Sequence, residues 1–226
     1  MTELNIVCFL WHGDRWNQDD DGEKYVNVLY RAVQRNLNLP HRFICFSNIS
    51  TLKVSNGIDI LPMNSLSWKG CLPRLWMYSP EATEMLGENN QVLALDLDVV
   101  IVRCMDEIAS YRGDFCVRSK FHPAKSHKAD GDIVGFRVGS CNNIWNEFIK
   151  EPQKNTVTTG GRERWWYRRT KDCKDRWQNL FPGQVISYKR HVQPYKSLPE
   201  GAVIVSCHGH PRPHEIDEPW IKEHWR

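Results

Sequence analysis

Apolar and polar positions follow two alternating rhythms along this chain. Short runs rich in β-branched and aromatic residues are followed by segments whose apolar residues recur every three or four positions. "LNIVCFLW" (4–11) reads as a strand. In "EKYVNVLYRAVQRNL" (23–37), Val26, Leu29, Val33 and Leu37 fall on one helical face, and Asp20 and Glu23 have capping-box spacing. "RFICF" (42–46) and "IDILP" (58–62) supply two more strands, and "LPRLWMY" (72–78) predicts a helix that stops before Pro80. A long apolar strand, "VLALDLDVVIV" (92–102), comes next. Strands alternating with helices predict an α/β fold with a mostly parallel central sheet flanked by helices.

That last run breaks its own pattern, because Asp96 and Asp98 sit in the middle of nine apolar residues. A buried carboxylate without a partner is strongly disfavoured, so each needs a cation, a metal or several donors. Mg²⁺ and Mn²⁺ take hard oxygen ligands, and a metal held by one or two carboxylates and nucleotide phosphates suits an Asp-x-Asp pair. Residues two apart on a strand lie ~6.5 Å apart, so both reach one ion only where the strand bends or ends. The plainer alternative has one Asp capping a turn and the other paired with Arg103 or Arg74. In parallel sheets the carboxyl ends of the strands open onto the ligand crevice. The first strand ends there in "WHGDRWNQDDDGE" (11–23), whose Trp11 and Trp16 are candidates, with Tyr25, for stacking on a nucleobase.

Length and composition bound the setting. A chain of 226 residues, 41% hydrophobic, supports one core and is read as a single domain over 1–226. A formal charge of +3 does not by itself announce a nucleic-acid or membrane partner. The eight cysteines form no C-x-x-C pair and read as core thiols, which points to a reducing, cytoplasmic setting. No apolar run reaches membrane-spanning length.

Five ordered pieces together resemble the GT-A fold glycosyltransferases of the glycogenin-like family 8 type. They are the first strand with its loop, "LPRLWMYSPE" (72–81), "LALDLDVVIVRCMDEI" (93–108), "GFRVGS" (135–140) and "IVSCHGHPRPHE" (204–215). The resemblance implies a single GT-A (Rossmann-like) domain and transfer of a sugar from a nucleoside-diphosphate sugar, with Mn²⁺ (or Mg²⁺) held by Asp96, Asp98 and His208. It also implies that Gly209 and Arg212 meet the diphosphate and that residues 202–226 close over the donor. Arg74 and Lys69 would lie near the donor phosphates. Cys207, His208, His210 and His214 offer a rival zinc reading, but their spacing matches no usual zinc pattern.

On the acceptor side the resemblance departs. Where relatives carry a Gly-Asp-Gln type motif, this chain has "GGRER" (160–164), and Asp130 and Asp132 in "KADGDIVGF" are the candidate catalytic acids. From Arg162 to Arg176 seven basic residues stand against three acidic ones, interleaved with Trp165, Trp166, Tyr167 and Trp177. Such a segment either holds a phosphate backbone and stacks bases or sugars, or forms an amphipathic helix with Trp inside and Arg outside. The acceptor is therefore expected to be a glycan, a protein or nucleic acid. A haloacid dehalogenase-like phosphatase, which would use Asp96 and Asp98 as nucleophile and general acid, and a nucleic-acid-binding or lectin-like module are the alternative functions.

Overall fold

The computed structural model describes residues 2–13, 22–64, 68–170 and 175–226. In chain order the strands are β1 (Leu4–Leu10), β2 (His41–Ser47), β3 (Ile58–Pro62), β4 (Gln91–Leu95), β5 (Val99–Ile101), β6 (Phe115–Ser119), β7 (Ala129–Arg137), β8 (Asp175–Arg176), β9 (Val185–Ser187) and β10 (Ile204–Ser206). The helices are α1 (Gly22–Asn36), α2 (Pro80–Leu86), α3 (Asp106–Ala109), α4 (Asn142–Lys150), α5 (Pro152–Thr159), α6 (Arg164–Thr170), α7 (Trp177–Leu180) and α8 (Pro219–His224). Seven strands join in the order β3-β2-β1-β4-β7-β6-β8, with β7 alone running against the rest. A second sheet has the order β5-β10-β9. The α/β class and mostly parallel sheet expected from the sequence are thus present.

β1 is buried at every position, as a central parallel strand covered on both faces must be. Its period of two divides it between two cores. Leu4, Ile6, Cys8 and Leu10 pack with Val26, Leu29 and Val33 of α1, while Val7 and Phe9 pack with Leu72, Trp76 and Tyr78. Glu23 serves no capping box among the described residues; its carboxylate accepts the Lys53 N–H at 2.7 Å, and Asp20 lies outside the described residues. Leu72–Tyr78 is a 3₁₀ rather than an α-helix, closed off by Ser79, whose hydroxyl accepts the Ala82 N–H and caps α2. All seven of its residues are buried, Arg74 included.

Residues 92–102 are two strands in two sheets, not the single strand expected. The Asp96 N–H donates to the Asp132 carbonyl at 2.8 Å, the chain turns through Asp96–Asp98, and Val99 opens β5. Keeping both carboxylates inside one ladder would strand charge in the core; a turn brings them to the meeting edge of the two sheets. Pairing of β5 with β10 then draws the C-terminal segment to that edge, with the Cys207 N–H on the Asp98 carbonyl at 3.1 Å. All seven described cysteines are free, Cys173 lying outside the described residues. Among the described residues no helix is long and apolar enough to cross a membrane.

Candidate active site

Four chain segments meet where β4 ends. Because β7 runs antiparallel, its first residues, with Asp130 and Asp132, lie beside the end of β4 and the end of β6. Arg118 of β6 is almost fully buried and donates from Nε to Asp132 Oδ1 at 2.6 Å, while its Nη2 stands 3.2 Å from Asp130 Oδ2. The other oxygen of Asp132 accepts the Ser206 hydroxyl from β10. Burial pushes the Asp132 carboxyl up, but the Arg118 charge and the hydrogen bonds from Arg118 and Ser206 outweigh it and hold the group below its ordinary value. Both oxygens of this aspartate are therefore committed.

Arg74 forms the second half of the floor. It pairs with Asp96 through Nη1 and with Glu163 through Nη2, and Nη1 also donates to the Gly131 carbonyl at 3.0 Å. A Cβ at Gly131 would stand 2.8 Å from Glu163 Oε1, so this glycine admits the carboxylate. Glu163 arrives there because the "GGRER" backbone docks on the segment before Arg74: the Cys71 N–H donates to the Gly161 carbonyl at 2.9 Å. A Cβ on Gly161, whose φ is +73°, would meet the Lys69 carbonyl at 2.8 Å. Burial lowers the Arg74 pKa, and Cys71, Tyr167, Asp132 and Asp98 together raise it by more, so the guanidinium is held charged.

His208 follows β10, its Nε2 3.1 Å from the Ser187 hydroxyl and its ring stacked on Phe121. Burial, Arg118 and Lys189 lower its pKa against the opposing pull of Asp132 and Asp130, which keeps the imidazole neutral near pH 7 and able to ligate a metal.

The floor thus carries Asp96, Asp98, Asp132 and Glu163 against Arg74 and Arg118, with Asp98 only 3% exposed. Four carboxylates against two guanidiniums suit a divalent cation. Among the described residues no three His, Cys, Asp or Glu side chains are gathered about one point. Asp96, Asp98 and His208 therefore form no closed cage in this arrangement, and one Asp96 oxygen is on Arg74. Cys207, His208, His210 and His214 form no zinc cluster either.

Several expected site residues stand elsewhere. Trp11 is packed in the core beside Phe9 and Trp76, and Tyr25 is buried with its hydroxyl on His214 Nδ1 and its ring edge-on to Trp225, so neither offers a free face to a base. Apolar packing at the end of β1 and under the C-terminal segment claimed both rings. Trp16 lies outside the described residues. The Arg74 guanidinium is engaged by two carboxylates rather than open to phosphate, and the Lys69 side chain is exposed at the Gly161 contact. Gly209, at φ +74°, lies against Lys189 Nζ, and the Arg212 N–H donates to Glu215.

The basic segment divides. Glu163 and Arg164 face the site, Trp166, Tyr167 and Trp177 are buried, and Trp165, Arg168 and Arg169 line a surface hollow with Thr158 and Thr159 of α5. Lys171, Asp172, Cys173 and Lys174 lie outside the described residues. Sequence reasoning missed Arg118, Glu163 as a floor residue, and Ser206. Arg118 had a visible signal, a charge inside the apolar run "FCVRS".

No family model matches the sequence, and no curated protein matches it. Among solved structures the chain is similar to the glycosyltransferase GlyE of Streptococcus pneumoniae TIGR4, at a TM-score of 0.63 and 12% identity. The match covers 96% of this chain and 57% of that one, so this chain spans little more than half of that structure. At such low identity the likeness shows the fold alone, one that this chain shares with that enzyme.

Proposed function

We propose that the protein is a metal-dependent glycosyltransferase that moves a sugar from a nucleoside-diphosphate sugar to an acceptor hydroxyl. The observation that carries this reading is the Asp96–Asp98 turn: a carboxylate pair at the junction of two sheets, on a glycosyltransferase fold, over a floor with more carboxylates than guanidiniums. Asp96 and Asp98, with His208 beside them, would hold Mn²⁺ or Mg²⁺. When bound, such an ion supplies positive charge to the leaving diphosphate. Arg74 keeps Glu163 as a partner if one Asp96 oxygen turns toward the ion, so the buried guanidinium is never left bare. Arg212 and Gly209 would meet the diphosphate from the C-terminal segment.

In the transfer, the bond from the anomeric carbon to the diphosphate breaks with its electron pair on the diphosphate. The acceptor oxygen forms the new bond. Its proton goes to Asp130, because Asp132 has both oxygens engaged while Asp130 is the more exposed of the two. Asp132 acts as a positioning group for Arg118. The family 8 type, retention of configuration and a cytoplasmic setting follow from the sequence resemblance and the thiol content.

The test is a thermal-shift series with UDP, GDP, CDP, ADP and TDP, each with and without Mn²⁺. One nucleotide should stabilise the protein only when the metal is present, because a ligand that binds the native state raises its stability by mass action. No metal-dependent shift with any of them, together with hydrolysis of small phosphate esters, would favour the dehalogenase-like alternative.

A further inference from the structure

Lys120 directly follows β6 and opens the loop to β7, which its N–H closes onto the Lys128 carbonyl at 3.0 Å. It shares this loop with Lys125, whose carbonyl accepts the Lys128 N–H at 2.9 Å, and it follows Arg118 by two residues, so its half-buried ammonium feels the charges of Arg118, Arg164 and Lys125. Among the described residues it makes no salt bridge. The nearby carboxylate, Asp130, is already shared between Arg118 at 3.2 Å and Arg164 at 3.9 Å, and Asp132 is committed to Arg118 and Ser206. Leaving aside the Arg118–Asp132 pair already counted in the floor, Arg164, Lys120 and Lys125 stand with the single carboxylate Asp130, an excess of two positive charges beside the group that takes the acceptor's proton. Burial and the Arg164 charge push the Lys120 pKa down; Asp130 opposes them, and Lys125 and Arg118 add to the lowering. The cluster is electrostatically unfavourable on its own and is relieved by an anion.

We propose that this cluster is the acceptor subsite and that the acceptor carries a phosphomonoester, seated on Lys120, Lys125 and Arg164 while its hydroxyl reaches Asp130. A phosphate monoester bears about −1.5 to −2 near pH 7 and balances the excess, whereas a carboxylate balances only half of it. The planar fork of Arg164 and the two ammonium groups supply charge-assisted donors to its oxygens. The inference rests on the glycosyl-transfer reading and names the substrate class of that same site.

Calorimetry with inorganic phosphate, glucose 6-phosphate, glucose and glucuronate tests it, run with and without saturating Mn²⁺ and the nucleoside diphosphate that stabilises the protein. Phosphate and glucose 6-phosphate should bind with the donor site filled, and glucose and glucuronate should bind at least about tenfold more weakly. Lys120→Ala with Lys125→Ala should lower phosphate affinity by about tenfold or more and leave nucleoside diphosphate affinity unchanged. Lys125→Ala alone, at an exposed position where substitution is expected to leave the fold intact, should show part of the loss. Equal binding of glucose and glucose 6-phosphate, unchanged phosphate affinity in these variants, or displacement of phosphate by the nucleoside diphosphate would overturn the proposal, the last because the cations would then serve the donor. Phosphate binding in a protein that takes no nucleoside diphosphate would overturn the transfer reading instead, leaving an anion site with no acceptor role.

Discussion

The Asp96–Asp98 turn and the Arg162–Arg176 segment both drew notice through charge, yet only the first is built wholly into the site. In the turn the charges interrupt an apolar run, so burial was implied and partners had to come to them. Arg74 came to Asp96 and brought Glu163 with it, and the Asp132 carbonyl that takes the Asp96 N–H belongs to a second buried set, in which its carboxylate holds Arg118 and Ser206. In the basic segment the charges alternate with aromatics, a pattern that a helix with one wet face satisfies by itself. α6 does so: Trp166 and Tyr167 enter the core while Arg168 and Arg169 face water. A charge where the pattern forbids it is informative; a charge where the pattern allows it is not.

The largest expected effect comes from breaking the buried pair next to the turn. Arg118→Met removes the partner of a buried Asp132 and should cost about 3–5 kcal/mol in urea unfolding, the usual penalty for leaving one half of a buried pair. The same pair sets the acid response. Because the folded Asp132 pKa lies below the unfolded value, its contribution is complete above the ordinary aspartate value of about 3.9 and is lost as pH falls further, through the folded value. In Arg118→Met burial acts unopposed by Arg118, so that part of the acid sensitivity should shrink or reverse. A cost below about 1 kcal/mol would put this pair on a level with a surface ion pair and erase the contrast with α6.

Next in size is the turn itself. Asp98→Asn should keep the fold and weaken Mn²⁺-dependent binding of the nucleoside diphosphate by roughly 100-fold or more, beyond the range for groups that merely support a ligand. Calorimetry on the folded variant is the measure. Unchanged affinity would leave Asp98 as a buried structural carboxylate and move the metal assignment elsewhere.

Legibility followed the distance over which a contact is made. β1, α1 and the β2–β3 pair were readable because period and burial are local, and Val26, Leu29 and Val33 turned inward as their spacing required. The turn was readable only as a condition, that both aspartates reach one ion if the strand ends, and the strand does end at Leu95. The Arg74–Glu163 pair joins residues 89 apart through the contact of Gly161 with Lys69, and no window of sequence contains it. Trp11 and Tyr25 were ambiguous for the opposite reason: an aromatic after a strand or on the first turn of a helix looks the same whether it is stacked against a ligand or against the core. Here the core took both.

The smallest effect is expected where charge is densest in sequence. Arg168 lies over the exposed Trp165 ring at 5.4 Å, and Arg169 lines the neighbouring hollow with Glu147, Glu151 and Asn155. Exposed cation–π contacts contribute about 0.5–1 kcal/mol, and surface substitutions away from special features stay within about 0.5 kcal/mol. Arg168→Ala with Arg169→Ala should therefore shift stability by no more than about 1 kcal/mol and leave both nucleoside diphosphate and phosphate affinity unchanged. A phosphate-backbone acceptor running over α6 would instead give transfer that falls steeply with salt, with a slope that flattens in this double variant. Transfer that depends on Lys120 and Arg164 but not on Arg168 and Arg169 would place acceptor recognition on the β6–β7 loop and the first turn of α6; the reverse dependence would return it to the outer face, where the sequence had first drawn attention.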